Sequence, residues 1–150
     1  MAIHPHHPSV DSVLEKIENF LARQGGRMTS VRREIAAQLV ELKEPKTAYQ
    51  ILGAVNKKRK TKLSAISIYR TLDFLIEAGV VLKLESKNAF ELCLGGKSEH
   101  SHLMMVCDKC GNVQEIEDDA LSKTLVKTAK KHGHKLKHNV LELHGVCRSC

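Results

Sequence analysis

Two cysteine pairs, Cys107-Asp-Lys-Cys110 and Cys147-Arg-Ser-Cys150, are the residues of this chain whose types and spacing most directly specify chemistry. A two-residue spacer bends the backbone into a tight turn that presents both sulfurs to one ion, so two such pairs supply four thiolates at tetrahedral geometry. Gly111 follows the first pair, as such a turn often needs. We read Cys107, Cys110, Cys147 and Cys150 as a structural four-sulfur zinc site that staples the first and last strands of a small domain together. The competing readings are a redox dithiol and a disulfide framework. A thioredoxin-like pair sits between a strand and a long helix, whereas Gly111-Asn-Val-Gln-Glu-Ile-Glu is itself strand-like. A catalytic zinc site keeps an open coordination position, and a zinc deaminase carries Pro before its Cys-x-x-Cys. Neither feature is in the sequence, and no enzyme is expected.

Around these cysteines the composition bounds the rest. The 150 residues suffice for one domain or two small ones; Trp is absent and aromatics are 3%, so Leu, Ile and Val must fill the core. No run of eighteen apolar residues exists, and Met1-Ala-Ile-His-Pro-His-His-Pro lacks the charged and apolar regions of a signal peptide. We therefore expect a cytoplasmic protein whose five cysteines stay reduced and free for metal. The formal charge of +7 is unevenly placed, with residues 1–62 holding twelve Lys and Arg against six Asp and Glu. That asymmetry points to nucleic acid as partner of the first half, the alternative being a merely solvated basic surface.

The elements that must position these groups follow from periodicity. Residues 1–11, with His4, His6 and His7 among prolines, are expected to form a mobile tail. From Ser12, Val13, Ile17, Phe20 and Leu21 recur at helical spacing until Gly25-Gly26. Thr29 or Ser30 caps a second helix carrying Val31, Ile35, Leu39 and Leu42, and Thr47 opens a third with Ala48, Ile51, Leu52 and Val55 inward. After the basic loop Lys57–Lys62, Ser64 caps a fourth helix that Gly79 closes. On a wheel of that helix Ala65, Ile68, Leu72, Leu75 and Ile76 form the buried arc, while Ile66 and Arg70 point away with Ser67 and Tyr69 on the flanks. An exposed β-branched residue beside an Arg near a helix N-terminus suits a major groove, where Arg pairs with guanine and an apolar side chain touches a thymine methyl.

Beyond Gly79, Val80–Glu85 and Ala89–Leu94 flank Ser86-Lys-Asn88 as a β-hairpin, completing a winged helix-turn-helix over residues 12–94. Residues 95–101 are the expected hinge. Residues 102–150 read as a ββαβ unit: strands at Leu103–Val106, Val113–Glu117 and Val140–Val146, and a helix capped by Asp118 or Asp119 with Leu121, Leu125 and Ala129 at helical spacing. Such a unit is small enough to need metal or a partner subunit. The fold class is α+β, a winged helix followed by a small α/β dimerisation domain with a four-cysteine zinc site.

Ser67-Ile-Tyr-Arg-Thr-Leu-Asp-Phe-Leu75, the Cys-x-x-Cys-Gly motif and the terminal His-Gly-Val-Cys-Arg-Ser-Cys together resemble the ferric uptake regulator superfamily over nearly the whole chain. Leu84-Glu-Ser-Lys-Asn88, Leu92-Cys93 and His138-Asn-Val-Leu-Glu-Leu-His-Gly145 are most similar to its zinc uptake regulator branch. The resemblance implies a homodimeric repressor that binds palindromic operator DNA when zinc is loaded and controls zinc uptake genes. It puts the structural zinc on the four cysteines already identified and DNA reading on Tyr49 and Arg70, beside Ser64, Ile66, Ser67 and Tyr69, with Tyr69 against the DNA backbone. It also implies a regulatory zinc site at Cys93, His100 and Glu115. The remaining family ligand falls on Leu82, which cannot ligate; His102, on the same side of an extended segment as His100, is the substitute, and Glu91 is a weaker one. The set of thiolate, imidazole and carboxylate suits zinc over iron.

Three rivals stand beside this. An iron-, manganese- or peroxide-sensing member of the same superfamily is one. A hydrolytic zinc protein or dithiol oxidoreductase is another, and a constitutive nucleic-acid module with purely structural zinc is the third. For Cys93 the plainer role is a small buried hydrophobe. His132, His134, His138 and His144 are assigned to ordinary surface or strand packing, with His138 the one to watch for a further metal site.

Overall fold

The computed structural model describes residues 9–93, 101–136 and 140–150. Four helices open the chain, each started by a hydroxyl that takes an otherwise unpaired first-turn N–H. Ser9 caps α1 (Val10–Arg23), Thr29 caps α2 (Ser30–Leu42), Thr47 caps α3 (Ala48–Lys57) and Ser64 caps α4 (Ala65–Glu77). At α3 the cap is reciprocal, since Gln50 Oε1 accepts the Thr47 N–H at 2.9 Å. The first helix starts earlier than its apolar spacing indicates. Ser9 serves as cap, so residues 9–11 belong to the helix start and not to the tail assigned over 1–11.

The apolar stripes of the four helices meet in one core. Ile17, Leu21, Ile35, Ile51, Ile68, Leu72 and Leu75 are fully buried there, together with Val81 and Phe90 from the hairpin. Each such side chain contributes about 1.5–3 kcal/mol by leaving water. The hairpin is β2 (Val81–Leu84) and β3 (Ala89–Leu92), joined by the 3-10 turn Glu85–Lys87 and by Asn88 at φ 46°. A two-residue strand, β1 (Lys46–Thr47), pairs with β3 and completes a sheet of order β1-β3-β2. Two residues leave no alternation to read, and this strand is absent from the sequence expectation.

The second sheet has β4 (His102–Cys107) at its centre, β5 (Val113–Ile116) antiparallel on one side and β6 (Val140–Gly145) parallel on the other. The helix α5 (Asp119–Lys131), capped by Asp118, lies between β5 and β6 in sequence, as a parallel return requires. Its Ser122 hydroxyl donates to the Ser101 carbonyl at 3.1 Å. Ser101, the last residue of the expected hinge, is buried; the rest of that hinge, like His100 and His138, lies outside the described residues. Leu84 of the wing packs fully buried against Met104 and Val106, with Val113 and Val140 beside them, so the hairpin and the second sheet are in contact. Period-2 alternation puts His102, Met104 and Val106 on that wing-facing side, and register adds Glu115 and Glu142 opposite Met104.

Candidate metal centres and DNA-reading helix

Cys107 ends β4, and the turn after it is tied by the Gly111 N–H to the Cys107 carbonyl at 2.9 Å, with Gly111 at φ 74°. Cys147 and Cys150 form the matching turn just after β6, where the Cys150 N–H donates to the Cys147 carbonyl at 3.0 Å. Because β4 and β6 run parallel with Cys107 opposite Gly145, both turns fall at the same end of the sheet. All four sulfurs lie within 4.8 Å of one another, with separations of 3.9 Å (Cys107–Cys150), 3.7 Å (Cys110–Cys147) and 3.5 Å (Cys147–Cys150). Tetrahedral zinc with bonds of about 2.3 Å sets sulfurs about 3.8 Å apart, whereas a disulfide needs about 2.05 Å. All five cysteines are free, and the disulfide alternative has no counterpart here.

The electrostatics fit a cation. Backbone N–H groups of Cys110 and Cys147 hold the Cys107 thiol down at about 6, and the neighbouring sulfurs of Cys147 and Cys110 push Cys150 up to about 12. One thiolate is favoured by the turn, while the contacts of Cys150 with the neighbouring sulfurs, its desolvation and, last, the Cys107 charge disfavour a second, and a bound dication reverses that preference.

The second cluster sits at the base of the wing. Cys93 follows β3, its N–H donating to the Val80 carbonyl at 2.7 Å. Its Sγ lies 3.4 Å from His102 Nε2, and His102 Nδ1 lies 2.6 Å from Glu115 Oε1, so the imidazole stands between thiol and carboxylate. The Cys93 contact pushes the His102 imidazole up to about 9; burial opposes this and Glu115 adds to it. Glu91 faces the same cluster, and burial followed by the Glu115 charge raises its carboxyl above the ordinary range while His102 acts in the other direction. Leu82, the cross-strand partner of Glu91, is 6% exposed and offers no donor. Of the four residues assigned to regulation, Cys93, His102 and Glu115 come together from three separate strands' ends, and His100 lies outside the described residues. His102 touches its two neighbours through opposite ring nitrogens, so this cluster is looser than the four-cysteine site.

On the outer face of α4, Ile66 is 64% exposed and Arg70 is exposed, with Tyr49 of α3 68% exposed. The hydroxyls of Ser64 and Ser67 lie 3.1 Å apart at the helix start, where Ser64 also caps the Ser67 N–H. Tyr69 is half-buried, packed against the helical core. In the basic loop Lys58 pairs with Glu41 at 2.6 Å and Arg59 with Glu34, and Lys60 is exposed. The Asn56 amide accepts from the Leu63 N–H at 2.8 Å and donates to the Leu63 carbonyl at 3.1 Å, fixing the loop's entry into α4. Sequence reasoning missed Asn56, whose signal is only that of an unremarked polar residue in α3.

The profile of the ferric uptake regulator family matches residues 23–144. The chain belongs to the ferric uptake regulator family. Within it, the chain is 33% identical over 144 residues to the zinc uptake regulation protein of Escherichia coli, covering 95% of this chain and 83% of that one. Its fold superposes on a zinc uptake regulator complexed with zinc and DNA with TM-score 0.80 at 31% identity, covering 95% of each chain. Against the holo form of XcZur the TM-score is 0.75 at 33% identity, covering 93% of this chain and 97% of that one. Against the apo form of XcZur it falls to 0.55 at 31% identity, with 94% and 97% covered.

Proposed function

We propose that the chain is a zinc-responsive transcriptional repressor, cytoplasmic and without catalytic activity, which binds palindromic operator DNA as a zinc-loaded homodimer and controls zinc uptake genes. The observation that carries this is the domain arrangement. It matches a family member holding zinc and DNA at TM-score 0.80, and matches one protein better in its holo than its apo form, 0.75 against 0.55. Among the described residues no helix is long and apolar enough to cross a membrane. The four-cysteine set offers sulfur at all four corners, leaving no corner for substrate.

Two zinc roles divide between the two clusters. Zinc at Cys107, Cys110, Cys147 and Cys150 supplies a cross-link between the ends of β4 and β6. Zinc at Cys93, His102 and Glu115, with His100 and Glu91 as further donors, joins the end of the wing to the second sheet. Cys93 is contributed by the DNA-binding part and His102 and Glu115 by the sheet, so a local bond fixes the angle between them. Zinc and DNA then each tighten the other, as linkage demands. DNA reading falls to Tyr49, Ile66 and Arg70, with Ser64 and Ser67 ordering the helix start for phosphate contacts. Tyr69, half-buried on the flank of the helix, is assigned to the DNA backbone.

Dimerisation follows from the outer face of the second sheet. The cross-strand partners Met105 and Leu143 are 44% and 40% exposed, and Val146, just after β6, is 60% exposed. Such a face on a small domain asks for a second copy.

The test is selection of duplexes from a random pool in zinc, followed by titration of the selected site at buffered free zinc, iron and manganese. Zinc-specific, palindrome-selective binding is expected. A response to iron or manganese at lower free concentration than zinc would overturn the metal assignment, and metal-independent binding would overturn the switch.

A further inference from the structure

The wing meets the second sheet at two separate places. At its base Cys93 faces His102. At its tip the Glu142 carboxylate accepts the Glu85 N–H at 2.6 Å and lies 3.4 Å from the Ser86 N–H, while Lys87 Nζ donates to the Gly111 carbonyl. The first N–H groups of a helical turn have no partner within it, and a carboxylate placed there makes charge-assisted bonds. Glu142 is held in place for this. Its side chain is 13% exposed, and His144 bridges it to the cysteine turn, with Nε2 3.6 Å from Glu142 and Nδ1 3.0 Å from Asp108. Burial opposes the charge on Glu142, yet the Ser86 hydroxyl, the Glu85 and Ser86 N–H groups and His144 outweigh it and hold the carboxyl below its usual range.

One attachment at the base of a hairpin leaves its far end free to swing. A second attachment, displaced by a four-residue strand of roughly 13 Å at 3.3 Å per residue, removes that freedom. Building on the functional reading above, we propose that Glu142 and Lys87 form a second latch, seating the wing tip on the structural-zinc sheet and holding the DNA-competent arrangement from a point the regulatory zinc does not touch. Glu142 is thus a positioning residue for DNA binding. The latch is closed in an arrangement that matches the holo form of a relative better than its apo form, so opening it should move the molecule away from DNA binding. The Gly111 carbonyl carries the same link into the four-cysteine turn, giving the structural site a part in the switch besides that of a staple.

The experiment compares full-length, zinc-loaded wild type with Glu142→Ala, Glu142→Gln and Lys87→Ala. Three quantities are read: dimer state and bound zinc, hydrogen exchange at the Glu85 and Ser86 amides, and the free zinc for half-maximal binding of a selected duplex. Glu142→Ala should keep the dimer and the four-cysteine zinc, lose protection at both amides, and need at least about fivefold more zinc, the lower end of ordinary coupling. Glu142→Gln, whose side-chain oxygen still accepts an N–H, should recover most of the protection. Should Glu142→Ala fail to fold, Lys87→Ala, a change at a half-buried side chain outside both cores, decides on the same readouts. Unchanged protection together with an unchanged zinc response overturns the latch. A wild type that ignores zinc overturns the functional reading instead, and the amide exchange still judges the latch.

Discussion

Arg70 can be tested apart from everything around it. It is exposed on α4, directed away from the buried Ile68 and Leu72. Arg70→Ala should lose roughly 1–3 kcal/mol of operator binding and relax preference at one base pair per half-site. Lys60→Ala should instead weaken all duplexes alike and reduce the salt dependence, as a phosphate contact does. Binding measured against specific and random duplexes across salt separates the two behaviours. Lys58, in the same loop as Lys60, is the poorer probe, because Glu41 already engages it. His102 gives a pH prediction for protein whose regulatory site is empty and whose four-cysteine zinc is in place. Its folded pKa is raised from 6.5 to about 9, so its stabilisation is complete below 6.5 and is lost as pH rises through 9. Thermal melts of protein that keeps the four-cysteine zinc but lacks the regulatory zinc should therefore fall in Tm across that window, and His102→Ala should flatten the trend. A flat wild-type profile contradicts the contact with Cys93 and Glu115.

At the scale of elements, the four-cysteine site joins strands adjacent in the sheet but far apart in sequence. Cys110→Ser should lower zinc content, solubility and dimerisation together, because structural zinc binding is folding free energy. Retention of the dimer and of strand content by circular dichroism after zinc removal would contradict that role. Ser64→Ala should cost about 1 kcal/mol and fray the start of the reading helix, visible as lost amide protection at Ser67. How far these elements were legible depended on how local their causes are. Caps and 3.6-residue stripes are short-range, and so α1 to α4, the outward Arg70 and the cysteine turns could be read directly. His102 could be placed beside the regulatory set because alternation along an extended segment fixes its side. β1 and the Glu142 latch could not be read: a two-residue strand has no period, and Glu142 meets Glu85 only through tertiary docking across 57 positions. The early start of α1 was missed because Ser9 caps it ahead of the first buried residue, Val13.

At the scale of the molecule, two parts with separate cores are joined along one face, and Cys93, His102, Glu115, Glu142 and Lys87, the described groups proposed for the switch, lie on that face. β4 carries His102 at the base of the wing and Met104 and Val106 under Leu84 at its tip, so the hairpin rests lengthwise on the sheet that the structural zinc closes. In the proposed switch, metal at the base and the carboxylate at the tip bias the same rigid-body angle. The central claim is that zinc at the Cys93 cluster sets it. The most direct measurement is zinc stoichiometry together with operator affinity, at buffered free zinc, for wild type and Cys93→Ser. We expect Cys93→Ser to keep its dimer and its four-cysteine zinc, lose one zinc per protomer, and bind operator no better with zinc than without. Full zinc-responsive binding by Cys93→Ser would place the switch elsewhere and contradict the claim.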